Sequence, residues 1–224
     1  MEIKICGITK LEDALNAHAF GADALGFIFY PKSPRYVTPE VARYIMDNLP
    51  RNITRVGVFV NNDIKAVRDI FEFCGLDMIQ LHGDESPEYC RLFPKSVLIK
   101  VFSAKSDEEL NDIIKFPVKA FLIDSRTADL YGGTGKKSNW ELASKMGTIR
   151  PLILSGGLKP DNILSAIETV VPHAVDVNSG IEISPREKDP HKMKKVIEMA
   201  HGCMGRSSIR IFRRTFGHHK NTKS

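Results

Sequence analysis

The sequence has little of what a disulfide framework, a zinc site or a membrane anchor needs. Its 224 residues contain four cysteines, at positions 6, 74, 90 and 203, and no two of them form a CxxC pair. This spacing argues against a zinc or redox motif and against a disulfide-stabilised fold. No apolar run approaches the ~20 residues that a membrane span needs. Residues 1–4 lead into a strand rather than a signal peptide, so we expect a cytoplasmic protein with free thiols.

An excess of basic residues is lacking outside the C-terminal end. The net charge is +5, but residues 203–224 contain six basic and no acidic residues, whereas residues 1–202 contain 26 basic and 27 acidic ones. The body of the chain therefore lacks the basic footprint of a nucleic-acid-binding domain. We expect no nucleic-acid or membrane partner. A non-catalytic scaffold that binds RNA or an acidic surface through its tail is the alternative that this tail leaves open.

What the chain does contain is a repeated alternation of short apolar runs with helix-like segments. The runs are residues 2–6, 24–29, 55–60, 78–82, 97–101, 120–124, 151–154 and 174–177. Such runs are typical of parallel strands buried on both faces. Capping patterns at Thr9, Thr38-Pro39, Ser138 and Asp189-Pro190 predict the starts of four helices. Eight units predict a single-domain (β/α)8 TIM barrel, with a doubly wound open sheet as the competing fold.

The domain boundary is predicted near the end of the last helix. Residues 1–202 form the predicted barrel domain, and residues 203–224 form a basic C-terminal extension. Apolar residues interleave with arginines in this extension, which suits an interfacial helix or a partner-binding peptide. We expect the extension to be disordered or accessory, with no catalytic role.

Glycine loops follow the last two predicted strands. SGG occupies positions 155–157 and NSG occupies positions 178–180. Glycines let backbone N–H groups turn toward an anion, and the following helix adds its partial positive charge. In a (β/α)8 barrel, phosphate sites usually lie in the loops after strands seven and eight. The predicted phosphate-binding residues are Gly156, Gly157, Ser179 and Gly180.

Five further polar residues lie at predicted strand ends, where the ligands of parallel sheets gather. Cys6 is either a reactive thiol or a small buried apolar residue. Asp124 is either a general acid or a turn cap, and Arg35 either binds a carboxylate or is a solvated loop charge. His82 and Asp176 also fit structural roles. These residues include no obvious metal cluster.

The longest loop, residues 125–138, is rich in glycine. Its GGTGK stretch lacks the GxxxxGK[ST] spacing, so a nucleotide-binding P-loop is not predicted. A long glycine-rich loop at a barrel mouth is typical of a mobile lid that excludes water.

Several stretches carry a resemblance to a known family. They are KICGIT (4–9), GADALGFIFYPKSPRYV (21–37), RVGVFV (55–60), QLHGDE (80–85), FLIDS (121–125), YGGTGKKSNW (131–140), LSGGL (154–158) and VDVNSGIE (175–182). In this order, they resemble the phosphoribosylanthranilate isomerase family of tryptophan biosynthesis. The resemblance implies a (β/α)8 barrel and a cofactor-free Amadori rearrangement of an aminoaldose phosphate into an aminoketose phosphate.

The resemblance also implies roles for the predicted site residues. It assigns the general base to Cys6, the general acid to Asp124 and the anthranilate carboxylate to Arg35, with His82 and Asp176 in supporting roles. It implies a small-molecule substrate and neither metal nor nucleotide. Indole-glycerol-phosphate synthase and ribulose-phosphate epimerase are the alternatives of the same fold. Side activity on the histidine-pathway aminoaldose, and the choice between monomer and homodimer, remain open.

Overall fold

The computed structural model describes residues 1–102, 107–124 and 135–212, and a closed barrel of eight parallel strands forms its centre. The strands are β1 (Glu2–Ile5), β2 (Ala24–Ile28), β3 (Thr54–Phe59), β4 (Met78–Leu81), β5 (Leu98–Phe102), β6 (Ala120–Asp124), β7 (Leu152–Ser155) and β8 (Ala174–Val177). Each strand pairs with the next along the chain, and β1 pairs with β8, with Ile3 opposite Val175. The predicted barrel is confirmed, and the open sheet is excluded because the eight strands β1–β8 close on one another.

Helices connect the strands on the outside of the barrel. They are α1 (Leu11–Ala19), α2 (Pro39–Asp47), α3 (Ile64–Cys74), α4 (Pro87–Cys90), α5 (Asp107–Ile113), α6 (Gly135–Ile149), α7 (Ile163–Val170) and α8 (Pro190–His201). A short antiparallel pair, β9 (Glu182–Ser184) and β10 (Glu187–Lys188), lies between β8 and α8. The sequence did not predict this pair, because its residues are few and mostly polar.

Local capping signals explain two of the four predicted helix starts. The start predicted at Ser138 is wrong, because α6 already begins at Gly135. The Thr38 hydroxyl accepts a hydrogen bond from the Val41 N–H at 3.4 Å, and the Asp189 carboxylate accepts two from the first turn of α8. Both caps precede a proline, which suits the first helical position. The cap predicted at Thr9 is wrong. Its hydroxyl donates instead to the Arg186 carbonyl at 3.2 Å, so a long-range contact has replaced the local one.

The strands are buried on both faces, and the side chains that point into the barrel differ between its two ends. Along β1, the inward positions are Glu2 at the amino-terminal end, Lys4 in the middle and Cys6 just beyond the carboxyl end. The apolar residues inside the barrel are Ala24, Val56, Met78, Ile99, Val101, Ala120, Leu122, Ile153 and Ala174. Most inward-facing side chains toward the amino-terminal ends of the strands, the lower half of the barrel, are therefore apolar. Polar side chains concentrate at the carboxyl ends of the strands.

Beyond α8, residues 203–212 lie against the amino-terminal end of the barrel. Ile211 and Phe212 are buried in the same cluster as the inward-facing strand residues. The sequence predicted a disordered or accessory extension. The structure gives residues 203–212 a defined course of which only the last two residues are buried, and the accessory role stays a prediction. The remainder of the extension, residues 213–224, lies outside the described residues.

Most of the predicted lid, residues 125–138, lies outside the described residues. Residues 125–134 lie outside the described ranges, and residues 135–138 belong to the first turn of α6. In the described part of the chain, no helix combines the length and the apolar character that crossing a bilayer requires.

Candidate active site

The carboxyl ends of the barrel strands surround a cavity of about 210 Å³. All nine residues singled out from the sequence line it: Cys6, Arg35, His82, Asp124, Gly156, Gly157, Asp176, Ser179 and Gly180. They follow or end six different strands, β1, β2, β4, β6, β7 and β8. The closed parallel topology brings these strand ends to one mouth, although they are far apart in the sequence.

The Cys6 side chain is almost completely enclosed at the floor of this cavity. It is 4% exposed, and Gly26 of β2 leaves the room that its thiol occupies. A Cβ atom at position 26 would lie 2.6 Å from the Cys6 sulfur. Burial raises the pKa of the Cys6 thiol, and the nearby Lys4 ammonium acts against that rise. The thiol is therefore the main form at neutral pH, and Lys4 is the main influence that favours the thiolate.

Lys4 lies two residues before Cys6, on the same face of β1. Its side chain is fully buried, and its Nζ lies 2.7 Å from Oδ2 of Asp176. Burial acts to lower the pKa of Lys4, but Asp176 and Cys6 raise it above its ordinary value. Lys4 therefore remains a buried cation. The sequence analysis missed it, although the two-residue period of a strand points Lys4 and Cys6 into the same interior.

Arg35, in the loop between β2 and α2, is held by a carboxylate that the sequence analysis also missed. Its Nε and Nη2 donate to Oε1 and Oε2 of Glu182 at 2.8 and 2.5 Å. Lys188 donates to the same carboxylate at 3.0 Å. Burial acts to raise the pKa of Glu182, but Arg35 and Lys188 hold it below its ordinary value. The guanidinium therefore has a fixed direction at the rim of the cavity.

His82 and Asp124 lie across the cavity mouth, after β4 and at the end of β6. The His82 ring reaches solvent on one side, while the protein on its other side removes enough water to lower its pKa. The charge of Asp124 acts against that shift. His82 is therefore neutral at pH 7. Gln80 lies beneath it, with its Nε2 3.3 Å from Nδ1 of His82.

Two buried acceptor atoms face no donor among the described residues. They are Oε1 of Gln80 and Oδ1 of Asp176, and both residues line the cavity. A buried acceptor without a partner costs free energy, of the order of 1–3 kcal/mol. A polar ligand with hydroxyl groups can supply the missing donors.

The two glycine loops adjoin at one side of the cavity. Gly156 and Gly157 have φ angles of 97° and 67°, in the region that favours glycine. The Asn162 side chain holds this loop by donating to the Gly157 carbonyl at 3.0 Å. Across from it, a Cβ atom on Gly180 would lie 1.9 Å from the Leu158 carbonyl oxygen. The loops can approach each other this closely only with glycine at position 180.

Together these groups can bind an anion and move protons on the molecule that carries it. A thiol, a carboxyl group and a neutral imidazole face the cavity from different strands, and an arginine and two glycine loops lie at its rim. Within residues 1–102, 107–124 and 135–212, no three His, Cys, Asp or Glu side chains form a group that could hold a metal ion.

Comparison with known proteins identifies the family. The family model described as N-(5'-phosphoribosyl)anthranilate (PRA) isomerase matches residues 3–199. The N-(5'-phosphoribosyl)anthranilate isomerase of Syntrophus aciditrophicus is 53% identical over 196 residues, which are 88% of this chain and 85% of the relative. The Geobacter sulfurreducens protein of the same name is 48% identical over 202 residues, which are 90% of this chain and 99% of the relative.

Solved structures agree with these relatives. Phosphoribosyl anthranilate isomerase from Thermotoga maritima is 42% identical with a TM-score of 0.81, and the match covers 91% of this chain and all of that one. A phosphoribosyl anthranilate isomerase in complex with reduced 1-(o-carboxyphenylamino)-1-deoxyribulose 5-phosphate is 40% identical with a TM-score of 0.79, at the same coverage. Because the family model spans nearly the whole barrel and these relatives match it along most or all of their length, the chain belongs to the N-(5'-phosphoribosyl)anthranilate isomerase family.

Proposed function

We propose that Cys6 and Asp124 carry out the family's reaction as a general base and a general acid. The reaction converts N-(5-phosphoribosyl)anthranilate into 1-(2-carboxyphenylamino)-1-deoxyribulose 5-phosphate, an aldose–ketose isomerisation in tryptophan biosynthesis. The observation that carries the proposal is that the two groups face one cavity from β1 and β6, beside two glycine loops.

The chemistry divides between the two groups. Asp124 gives a proton to the ring oxygen of the ribose, so that the bond from this oxygen to C1 breaks and a protonated imine forms. Cys6, as the thiolate, then removes the proton from C2, and the electron pair neutralises the imine to give an enol. The Cys6 thiol then returns a proton to C1, and the C2 hydroxyl gives its proton to the Asp124 carboxylate, which completes the ketone. Both groups are then back in their starting states, so the reaction needs no cofactor.

The charges around Cys6 support its role as the base. A neutral thiol is a poor base, and burial alone disfavours the thiolate. The Lys4 ammonium, which has no contact with solvent, supplies the largest opposing influence, and Lys188 adds to it. In the dry interior this influence is stronger than it would be in water. We therefore assign Lys4 an indirect role, in which its charge favours the thiolate form of Cys6.

The remaining lining residues bind and orient the substrate. Arg35 uses two of its five N–H donors on Glu182, so Nη1 retains donors for the anthranilate carboxylate. The phosphate lies between the two loops, on Gly156, Gly157, Ser179 and Gly180. Neutral His82 and the Asp176 carboxylate have supporting roles near the ribose hydroxyls.

The proposed function involves a small-molecule substrate and no nucleic-acid partner. The protein acts as a monomer or as a homodimer. A relative from Thermotoga maritima is a dimer that has been converted to monomers. Four free cysteines suit the reducing cytoplasm, where we expect the enzyme to act.

Disappearance of the fluorescence of phosphoribosylanthranilate, generated in situ, tests the proposal. We expect turnover by the unmodified chain and a loss of about 10²–10⁴-fold in Cys6→Ala and in Asp124→Asn. Cys74→Ala is the matched control, because Cys74 is a buried free thiol on α3, away from the cavity. Absence of turnover in the unmodified chain would contradict the proposed reaction, and a fully active variant would remove that residue from its role.

A further inference from the structure

Residues 203–212 lie beyond residues 3–199, the part of the chain that the family model matches. They form hydrogen bonds with the amino-terminal end of the barrel. The N-terminal ammonium of Met1 donates to the Cys203 carbonyl, and the Arg206 N–H donates to the Pro172 carbonyl, at 3.0 and 3.1 Å. The Arg206 guanidinium donates to three oxygens near the ends of α6 and α7: Ser144 Oγ, Val170 O and Val171 O. These contacts direct the segment toward the barrel axis.

Ile211 and Phe212 end this course inside the barrel. They are 0% and 3% exposed, whereas Ile209 is 52% exposed. Their buried cluster contains inward-facing residues of seven strands, β2 to β8. The first residues of β2, β6 and β8 are alanines, and such small side chains leave room for two large ones.

Side chains at the amino-terminal ends of the strands pair with the backbone of this dipeptide. The Glu2 carboxylate accepts the N–H groups of Ile211 and Phe212, at 2.6 and 3.3 Å. Lys119 Nζ donates to the Ile211 carbonyl at 2.6 Å, and the Thr54 hydroxyl donates to the Phe212 carbonyl. All four backbone polar groups of the dipeptide therefore have side-chain partners.

The Glu2 carboxylate is buried at this end of the barrel, where it accepts the two backbone N–H groups of the dipeptide. The carboxylate is 3% exposed, beneath an apolar interior, where an anion without partners is costly. Burial raises the pKa of Glu2, and the two backbone N–H donors act against that rise. These backbone donors are therefore the partners that make the buried carboxylate tolerable.

We propose that the amino-terminal mouth of the barrel is a peptide-binding site, separate from the active site, and that the chain's own Ile211-Phe212 occupies it. Glu2, Thr54 and Lys119 bind the peptide backbone, and the apolar barrel interior binds the two side chains. Ile211 and Phe212 then act as an internal plug that stabilises the barrel. The plug lies at the end of the barrel opposite Cys6 and Asp124, so this inference does not depend on the proposed function.

Two matched substitutions in the extension test the buried contact. Ile211→Ser removes an apolar side chain from the mouth, whereas Ile209→Ser makes the same change at an exposed position two residues earlier. We expect Ile211→Ser to lower Tm by roughly 5–10 °C and Ile209→Ser by less than about 2 °C. Isomerase turnover at 25 °C should stay within about twofold in both, since neither residue lines the active site. Equal Tm values for the two variants would overturn the proposal.

Binding of a separate peptide tests whether the mouth is a site. The probe is a fluorescent peptide of sequence GRSSIRIF, residues 205–212, with GRSSIRSS as its control, followed by anisotropy. We expect GRSSIRIF to bind the full chain carrying Ile211→Ser and Phe212→Ser at least about tenfold more tightly than the unmodified chain, whose site is occupied. Adding Glu2→Gln should weaken that binding. No difference between the two chains, or between the two peptides, would overturn the proposal.

Hydrogen exchange on the unmodified chain keeps the test decisive if the double variant does not fold. The amides of Ile211 and Phe212 donate to a buried carboxylate, so they should exchange at least about 100-fold more slowly than the amide of Ser208. Exchange of all three at the same unprotected rate would overturn the proposal.

Discussion

Lys4 determines much of what the Cys6 thiol can do. The lysine is buried at the middle of β1, and its ammonium pairs with Asp176 at 2.7 Å. Burial raises the pKa of Cys6, Lys4 acts to lower it, and Asp176 acts to raise it. In the proposed reaction, the ionisation of Cys6 therefore depends on its burial and on nearby charges of both signs, chiefly Lys4 and Asp176, with a smaller contribution from Lys188.

Substitution of the two charges should move the pH profile in opposite directions. The base must lose its proton to act, so kcat/KM rises with pH through the pKa of Cys6. Lys4→Met removes the charge that lowers this pKa and should shift the rising limb to higher pH. Asp176→Asn removes a charge that raises it and should shift the limb to lower pH. Steady-state kinetics across pH check both, and shifts in the same direction would contradict the assignment.

Gly26 controls the space that the thiol occupies. A methyl group at this position would lie 2.6 Å from the Cys6 sulfur, so Gly26→Ala must displace the thiol. A displacement of about 1 Å typically costs on the order of 10²-fold in rate, and we expect a loss of kcat of that size. Gly202→Ala is the control, because a Cβ atom there would meet its nearest neighbours at an ordinary 3.5 Å. Equal kcat values for the two variants would show that the added methyl group does not displace the thiol from its reactive position.

At the scale of elements, the short β9–β10 pair fixes the direction of Arg35. Glu182 begins β9 and Lys188 ends β10, so the hairpin brings a carboxylate and an ammonium together beneath the guanidinium. The Glu182 side chain is 5% exposed, and its paired hydrogen bonds to Arg35 leave little freedom. This hairpin therefore connects the β8 loop to the side of the cavity where Arg35 lies.

Glu182→Gln should weaken substrate binding more than chemistry. The amide has one acceptor oxygen instead of two, so Arg35 loses its paired contact and its fixed direction. We expect KM to rise about 10-fold or more, while kcat changes less, since Arg35 binds the substrate and does not transfer protons. Glu187→Gln, an exposed change in the same hairpin, should leave both values unaltered. A fall in kcat at constant KM would contradict this role.

The same carboxylate should contribute to the acid sensitivity of the fold. Its pKa in the folded chain lies below its ordinary value of 4.5, so it stabilises the fold above that pH. The contribution is lost as the pH falls from 4.5 through the lower folded value. Thermal unfolding followed across this range should show a smaller loss of stability for Glu182→Gln than for the unmodified chain. An equal loss would mean that Glu182 is not stabilised as a carboxylate.

At the scale of the whole molecule, the barrel divides into a reactive end and a closed end. Asp176, Gln80 and Lys4 form a polar middle layer, with the cavity above it and apolar residues below. Ile211 and Phe212 complete the lower apolar layer from outside the eight repeated units. The chain therefore completes its core with a segment that the barrel pattern alone does not supply.

The sequence predicts the parts of this molecule that depend on local pattern. Eight apolar runs identify the barrel, and the SGG and NSG sequences at positions 155–157 and 178–180 predict the two glycine loops, because periodicity and turn chemistry are local properties. The pairing of Glu182 with Arg35 and the burial of Phe212 depend on contacts between residues far apart in the chain, so no local pattern indicates them. The two-residue period of a strand indicates that the Lys4 side chain points into the barrel. A lysine in an apolar run is nevertheless ordinarily interpreted as an exposed residue at the edge of a sheet.

Comparison of binding with chemistry in Cys6→Ala and Asp124→Asn tests the central claim most directly. Single-turnover rates give the chemical step, and the Kd of reduced 1-(o-carboxyphenylamino)-1-deoxyribulose 5-phosphate gives binding without chemistry. We expect each variant to lose about 10²–10⁴-fold in single-turnover rate, while Kd changes less than about threefold. A rate that stays normal, or a loss that only parallels weaker binding of the analogue, would contradict the acid–base pair.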